Sequence, residues 1–331
     1  MISLKRPKAL ALLSGGLDSV LAVKLVQEQG VDIEAINFIT PFSINVKGNL
    51  VREIAKNIGI PLKVVDIGLE YLRIIRRPRF GYGRYMNPCI DCRIFMLKEA
   101  KKYAEEIGAQ FIVTGEVLDE RPMSQNMKAL MIIEEESSLK GRILRPLSAK
   151  LLPETVVEKE GIIDRSRLLD IRGRSRRRQL MLAKELGITS YEWPSGGCLL
   201  TYREFSAKLR DLLKHKKRIS LSDLKLLRIG RHFRYMDNKI IVGRNYEENQ
   251  KLLMLKAKSD YVFEAQGCGS PITILQGPKT RQAVLKAAQL TAYYSDQKAG
   301  LVHIKYGKEK PAKSIYVEKP AKEYVELLRI K

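Results

Sequence analysis

The stretch Ala9–Ser19 reads ALALLSGGLDS. Its first five residues are apolar without alternation, which suits a strand covered on both faces. Gly15 and Gly16 then allow a tight turn and close approach of the backbone to an anion. Ser19–Gln29 (SVLAVKLVQEQ) has helical spacing and stops at Gly30. A helix that starts from such a turn leaves free N–H groups facing outward, and its dipole favours phosphate oxygens there. Ser14 and Ser19 add hydroxyls. The bland alternative is an ordinary βα turn capped by Asp or Ser. A Walker loop is excluded, because no lysine follows the second glycine.

The same alternation continues outward. Ile33–Ile39, Leu62–Asp66 and Gln110–Thr114 read as further strands, and Leu50–Ile58, Arg93–Ile107 and Arg178–Leu186 as helices. Strands alternating with helices predict an α/β fold with a parallel sheet and helices on both faces. A basic helical segment, Phe205–Leu227, follows. Beyond it come the short strand candidates Ile240–Val242, Ile272–Leu275 and Leu301–Tyr306 and the helix candidates Glu247–Lys258 and Thr280–Tyr294. These predict a smaller C-terminal α+β domain. The expected division is 1–204 for the parallel-sheet domain, 205–235 for a basic helical linker, and 236–331 for the smaller domain.

The full string S-G-G-x-D-S after an apolar strand resembles the PP-loop of the ATP pyrophosphatases, whose domain is of the HUP or adenine nucleotide alpha hydrolase-like type. The resemblance implies ATP as substrate, bound by Ser14, Gly15, Gly16, Asp18 and Ser19, and cleavage to an adenylate and pyrophosphate. Thr114-Gly115-Glu116-Val117-Leu118-Asp119-Glu120 resembles the T-G-H-x-L-D-D segment of PP-loop RNA-modifying enzymes. It implies that Gly115 lies beside the nucleotide and that Asp119 is a Mg²⁺ or active-site carboxylate. Glu116 and Glu120 depart from that pattern. Arg145-Pro146-Leu147 resembles an R-P-L segment of the same enzymes, with Lys150 facing phosphate, RNA or solvent.

The four cysteines are Cys89, Cys92, Cys198 and Cys268. Cys89 and Cys92 form C-x-x-C at a helix start, where free N–H groups and neighbouring cations favour thiolates. Cys198 closes the peptide Trp193-Pro194-Ser195-Gly196-Gly197-Cys198. C-x-x-C followed by a distant Cys in a PP-loop chain resembles the cluster-dependent tRNA thiolation enzymes. It implies that Cys89, Cys92 and Cys198 hold a 4Fe–4S cluster with one open iron. Asp18, Asp119 and Cys198 are then the candidate catalytic residues. Three other readings stay open: zinc with Cys268 as fourth ligand, a Cys198 persulfide resolved by Cys89 or Cys92, and a buried pair with no chemistry. Cys268, between two glycines, reads as a packed small residue. His215, His232 and His303 have no metal-ligand spacing.

Sixty Lys and Arg against 37 Asp and Glu leave a net charge of +23. So large an excess of one sign predicts a polyanionic partner. Tyr71–Tyr85 (YLRIIRRPRFGYGRY) mixes five arginines with four aromatics, a pairing suited to phosphates and unpaired bases. Arg76, Arg77 and Arg79 there, with Arg176, Arg177 and Arg178 in RGRSRRR, are candidate RNA contacts. Lys214–Arg218 is a third basic run. Ile241-Val242-Gly243-Arg244-Asn245 with Asn249, and Ala287-Ala288 leading to Ala292-Tyr293-Tyr294-Ser295, resemble the NFACT-R RNA-binding domain and add Arg244. The implied partners are tRNA and a sulfur donor, either sulfide or a persulfide carrier. No apolar run would span a bilayer, and Met1–Leu10 does not read as a signal peptide. The expected location is cytoplasmic, and the oligomeric state stays open. The resulting expectation is an ATP-dependent tRNA sulfurtransferase that exchanges a uridine carbonyl oxygen for sulfur. The rivals are a PP-loop amidotransferase or ligase, and an inactive RNA-binding protein.

Overall fold

In the computed structural model, residues 6–44, 48–191, 197–298, 300–309 and 311–331 are described. The chain divides into two compact units, Met1–Thr201 and Tyr202–Lys331.

In the first unit, β1 (Lys8–Leu12) is the central strand. Its residues alternate between two cores, as side chains in a strand must. Ala9 and Ala11 face one core with Val20 and Val23 of α1 (Leu17–Gln27) and Val51 and Ile54 of α2 (Asn49–Asn57). Leu10 and Leu12 face the other with Ile94, Leu97 and Ala100 of α4 (Cys89–Glu106) and Ile133 of α5 (Met127–Glu136). A short α3 (Tyr71–Arg76) precedes α4. The sheet is completed by β2 (Asp32–Ile39), β3 (Leu62–Asp66), β4 (Phe111–Thr114) and β5 (Ile143–Leu144). Their order is β3-β2-β1-β4-β5, and every pairing is parallel. The strand order reverses at β1, so the ends of β1 and β4 open the crevice where such sheets bind ligands. Helices α6 (Val156–Lys159) and α7 (Arg177–Glu185) follow, and α7 packs near α1 through Ala183 and Leu21.

The second unit begins with α8 (Arg203–His215) and α9 (Leu221–Leu226). The expected continuous helix over Phe205–Leu227 is therefore two. Lys216 is extended, and Ser220 and Asp223 form a capping box that starts α9 afresh. The cap outweighs helical spacing there. Six strands follow as an antiparallel sheet of order β11-β10-β8-β9-β7-β6. They are β6 (Arg231–Tyr235), β7 (Asn238–Val242), β8 (Tyr261–Ala265), β9 (Thr273–Gln276), β10 (Val302–Gly307) and β11 (Lys313–Val317). β6, β8 and β11 are not among the expected strands: β6 (RHFRY) and β11 (KSIYV) mix polar with apolar residues, whereas β8 (YVFEA) is mostly apolar. α11 (Arg281–Tyr293) and α12 (Lys322–Leu328) pack on one face of the sheet, and α10 (Tyr246–Leu255) with α9 on the other. No helix among the described residues is long and apolar enough to cross a membrane.

Candidate active site

The turn after β1 has the shape its glycines require. Gly15 sits at φ +86°, and Gly16 caps α1 with extended backbone. Ser14 Oγ accepts from the Gly16 N–H at 3.3 Å and lies 3.2 Å from Ser19 Oγ. Ser19 Oγ donates to the Gly16 carbonyl at 2.8 Å. The hydroxyls thus brace the turn, and no side chain caps the helix start. Gly115 follows β4 and lies against the same helix start. A Cβ there would overlap the Ser19 nitrogen and the Asp18 carbonyl carbon.

Asp18 is buried in the first turn of α1. Burial, then repulsion from Glu120, raises its pKa to about 6, against the pull of Arg176, Gln179 and Arg121. Arg176 Nη2 lies 3.3 Å from Asp18 Oδ2 and 3.0 Å from Glu120 Oε1. Among the described residues, Asp18 Oδ1 and the fully buried Gln179 amide make no hydrogen bond of good geometry, although Gln179 is close enough to draw the Asp18 pKa down. Asp119 takes a left-handed backbone, φ +62°, and its carboxylate accepts from Arg172 Nε at 2.7 Å.

Glu116 lies in the interior. Arg145 Nε donates to it at 3.0 Å, Thr114 Oγ1 donates at 3.2 Å, and Arg93 lies 3.4 Å away. Arg145 also pairs with Glu134 of α5. Burial works to raise the Glu116 pKa, but Arg93 and Arg145 outweigh it and hold the group below its ordinary value. The R-P-L arginine is thus a buried structural partner. Lys150 Nζ donates to the Ser166 carbonyl at 2.7 Å.

The three cysteines come together from two segments. Cys89 and Cys92 open α4. Cys198 reaches them because residues 197–199 run beside the loop after β2: Cys198 bridges Ser43, and the Leu199 N–H donates to the Phe42 carbonyl at 2.8 Å. The Met86 N–H donates to the Leu200 carbonyl at 3.3 Å. Residues 192–196 of the peptide before Cys198 lie outside the described residues, as do Met1–Lys5. All three thiols act on the hydroxyl of Tyr71. Burial pushes Cys89 upward, Cys92 to about 11 and Cys198 to about 12. Arg121 and Arg93 oppose this at Cys89, and the Tyr71 hydroxyl opposes it at Cys92. Arg121 acts on Asp18, Cys89 and Cys198, so the glycine turn and the thiols share one electrostatic neighbourhood. Among the described residues, no three His, Cys, Asp or Glu side chains close on a single metal-ion position.

Tyr71 corrects one expectation. It is 1% exposed, with ring centroids 5.8 Å from Phe42 and 6.4 Å from Phe95, so it is not free to stack on a base. Tyr82 and Tyr85 of the same stretch are exposed. Arg79 pairs with Glu136 at 2.6 Å, Arg178 with Asp170 at 2.6 Å and Arg244 with Glu248 at 2.6 Å. Arg177 opens α7 and Arg76 ends α3. The sequence reading missed Tyr71, Arg93, Arg121 and Gln179 at the site. Arg93 and Arg121 do adjoin motif residues, whereas nothing local marks Tyr71 or Gln179.

A five-stranded parallel sheet of this order, with an S-G-G-x-D-S turn after its central strand, has the architecture of a PP-loop domain. Residues 5–169 match the family model described as thiamine biosynthesis protein (ThiI), and residues 230–326 match the NFACT protein RNA binding domain. The first unit thus carries a ThiI-type PP-loop domain and the second an NFACT-type RNA-binding domain. Among curated relatives, a "tRNA-specific 2-thiouridylase MnmA" of Syntrophotalea carbinolica is 30% identical over 34% of this chain and 35% of its own length. A "Probable tRNA sulfurtransferase" of Thermococcus kodakarensis is 29% identical over 47% of this chain and 39% of its own. The chain therefore spans well under half the length of these relatives. A solved 4-thiouridine synthetase–RNA complex with bound ATP aligns over 67% of this chain and 52% of that one, with 24% identity and a TM-score of 0.37.

Proposed function

We propose that this chain is an ATP-dependent RNA sulfurtransferase acting on tRNA. The observation that supports the reading is that Arg121 acts on Asp18 of the glycine turn and on Cys89 and Cys198, while Cys89 and Cys92 both act on Cys198. ATP binds with its phosphates on the N–H groups of the turn. A uridine carbonyl oxygen attacks the α-phosphate and pyrophosphate leaves. Sulfur then attacks the same ring carbon, and AMP departs with the oxygen. Asp18 and Glu120 offer hard oxygens suited to Mg²⁺, and Asp119 is the third nearby carboxylate. Arg176 would then shift from the carboxylates toward phosphate.

Three thiols of soft donor chemistry fit a 4Fe–4S cluster on Cys89, Cys92 and Cys198, and this group, when bound, supplies an iron position for transferable sulfide. The thiols need a cation at the site to ionise, because burial holds them protonated at neutral pH. A Cys198 persulfide is the second reading. Its turnover ends in a disulfide to Cys89 or Cys92 and requires an external thiol reductant. The domains 1–204, 205–235 and 236–331 would divide the work, with Arg76, Arg77, Arg79, Arg177 and Arg178 guiding RNA toward the thiols and Arg244 holding it in the second unit.

Nucleoside mass spectrometry of tRNA incubated with anaerobic protein, ATP and sulfide tests the function. Thiouridine should form with wild type and vanish for Cys198→Ala. Pyrophosphate exchange without any sulfur incorporation would favour an amidotransferase or ligase and overturn the proposal. Four irons per chain, as a cubane cluster holds, would support the cluster. An iron-free preparation that turns over only when a persulfide carrier replaces sulfide and a thiol reductant is added would support the persulfide.

A further inference from the structure

The start of β6 gathers four cations from different parts of the second unit. Lys208 comes from α8, Arg231 from β6, Arg244 from the turn after β7, and Arg329 from the residue after α12. Each is held in place. Lys208 Nζ donates to the Gly230 carbonyl at 3.2 Å, and Arg231 Nη1 donates to the Gly243 carbonyl at 3.1 Å. The Arg231 guanidinium lies 4.4 Å from the centre of the Tyr294 ring. Arg329 Nη2 donates to the hydroxyl of that same tyrosine at 2.7 Å, so Tyr294 seats two arginines. Glu248 clamps Arg244 and also accepts from the Gly230 N–H at 3.2 Å, which ties the two turns together.

The charges do not balance locally. Arg244 has Glu248, and Arg329 has Glu326 at 2.8 Å. Among the described residues, Lys208 and Arg231 form no ion pair, and their partners are carbonyls and a ring. The cations repel one another. After burial, Arg244 and Arg329 lower the pKa of Lys208, which falls to about 8, while Glu204 and Glu248 act against them. Burial, then Arg244 and Arg329, likewise lower Arg231. Like charges in a half-buried site are costly unless an opposite charge joins them. Guanidinium forks match phosphate oxygens in geometry as well as charge. The hydrogen bonds to neutral groups fix the forks in advance, so little side-chain freedom is lost when an anion arrives.

We propose that Lys208, Arg231, Arg244 and Arg329 form a seat for a backbone phosphate of RNA in the second unit. The inference rests on the RNA-directed function above and adds three residues that the motifs did not single out. Fluorescence anisotropy of labelled tRNA with the full chain tests it, across a salt series. Lys208→Gln and the more exposed Arg244→Gln should each weaken binding about tenfold at low salt. Each should flatten the slope of log affinity against log salt by about 0.7–0.9, the amount for one lost phosphate contact. A fold defect would lower the active fraction without changing that slope. Lys251→Gln, on the exposed side of α10, should change neither quantity. Unchanged affinity and slope in both Lys208→Gln and Arg244→Gln would overturn the seat. Binding of inorganic phosphate that is lost in both variants while their RNA affinity and salt slope stay unchanged would assign the site to a free anion and overturn it too. A wild-type protein with no RNA affinity would overturn the RNA-directed function itself.

Discussion

Asp18 is placed for chemistry at the expense of stability. It is a carboxylate in the first helical turn, buried beside Glu120, and its pKa rises from 3.8 to about 6. A raised acid pKa means that folding favours the protonated form. The native state takes up a proton between pH 6 and pH 4, so stability falls as pH rises through that window and stays low above it. The shift amounts to about 3 kcal/mol by linkage. Asp18→Asn should therefore raise the melting temperature at pH 7, and the gain should disappear near pH 4, as followed by thermal melts over that range. The same variant should lose ATP–pyrophosphate exchange. Equal melting of both proteins at pH 7 would contradict the burial argument. Gly115 has the opposite character. An added methyl group meets backbone at Ser19 and Asp18, which no rotamer relieves. Gly115→Ala should cost about 1–3 kcal/mol, the range for overpacking. It should also impair pyrophosphate exchange more than the melting loss explains, since the displaced backbone is the phosphate turn.

Between elements, the buried Arg145 network joins the end of β5 to α5 and to the segment after β4, while Arg93 brings in α4. Arg145→Met would leave Glu116 and Glu134 buried without their partner, and such a loss is worth about 3–5 kcal/mol. Urea denaturation at pH 7 should show it. The gap should narrow in acid. Glu116 has a depressed pKa, so its contribution is present above the ordinary carboxylate value and lost as pH falls through the native one. The elements differ in how plainly they can be read. β1 and β4 are largely apolar runs, β2 (DIEAINFI) and β3 (LKVVD) apolar runs with isolated polar residues, and the sequence reading finds each within a residue or two. β6 (RHFRY) and β11 (KSIYV) half-face solvent, and their identity depends on the neighbours they pair with. α3 looks like an RNA-binding stretch because its arginines dominate the composition. Only packing against Phe42 and Phe95 turns Tyr71 inward.

For the whole molecule, the compact unit that begins at Tyr202 should carry much of the RNA affinity. Residues 1–201 alone should retain ATP binding, read by calorimetry, and lose most tRNA affinity, read by filter binding at several salt concentrations. Undiminished tRNA binding by that fragment would remove the role proposed for the second unit. The PP-loop, the parallel architecture, the net charge of +23 and the identity of the three cysteines were all determined by sequence alone, because each depends on residues adjacent in the chain or on composition. Tertiary structure decided what depends on distance in space. Cys198 meets Cys92 because residues 197–199 run beside the loop after β2. Arg176, written in a basic run that suggests RNA, turns instead to Asp18 and Glu120. Lys208 reaches the Gly230 carbonyl and Arg329 the Tyr294 hydroxyl from opposite ends of the second unit's sequence, and Arg329 acts on Lys208. A charge run reports how many cations a segment has. Which of them stay free for a ligand is set by carboxylates far away in the chain, and only the fold brings those within ion-pair range.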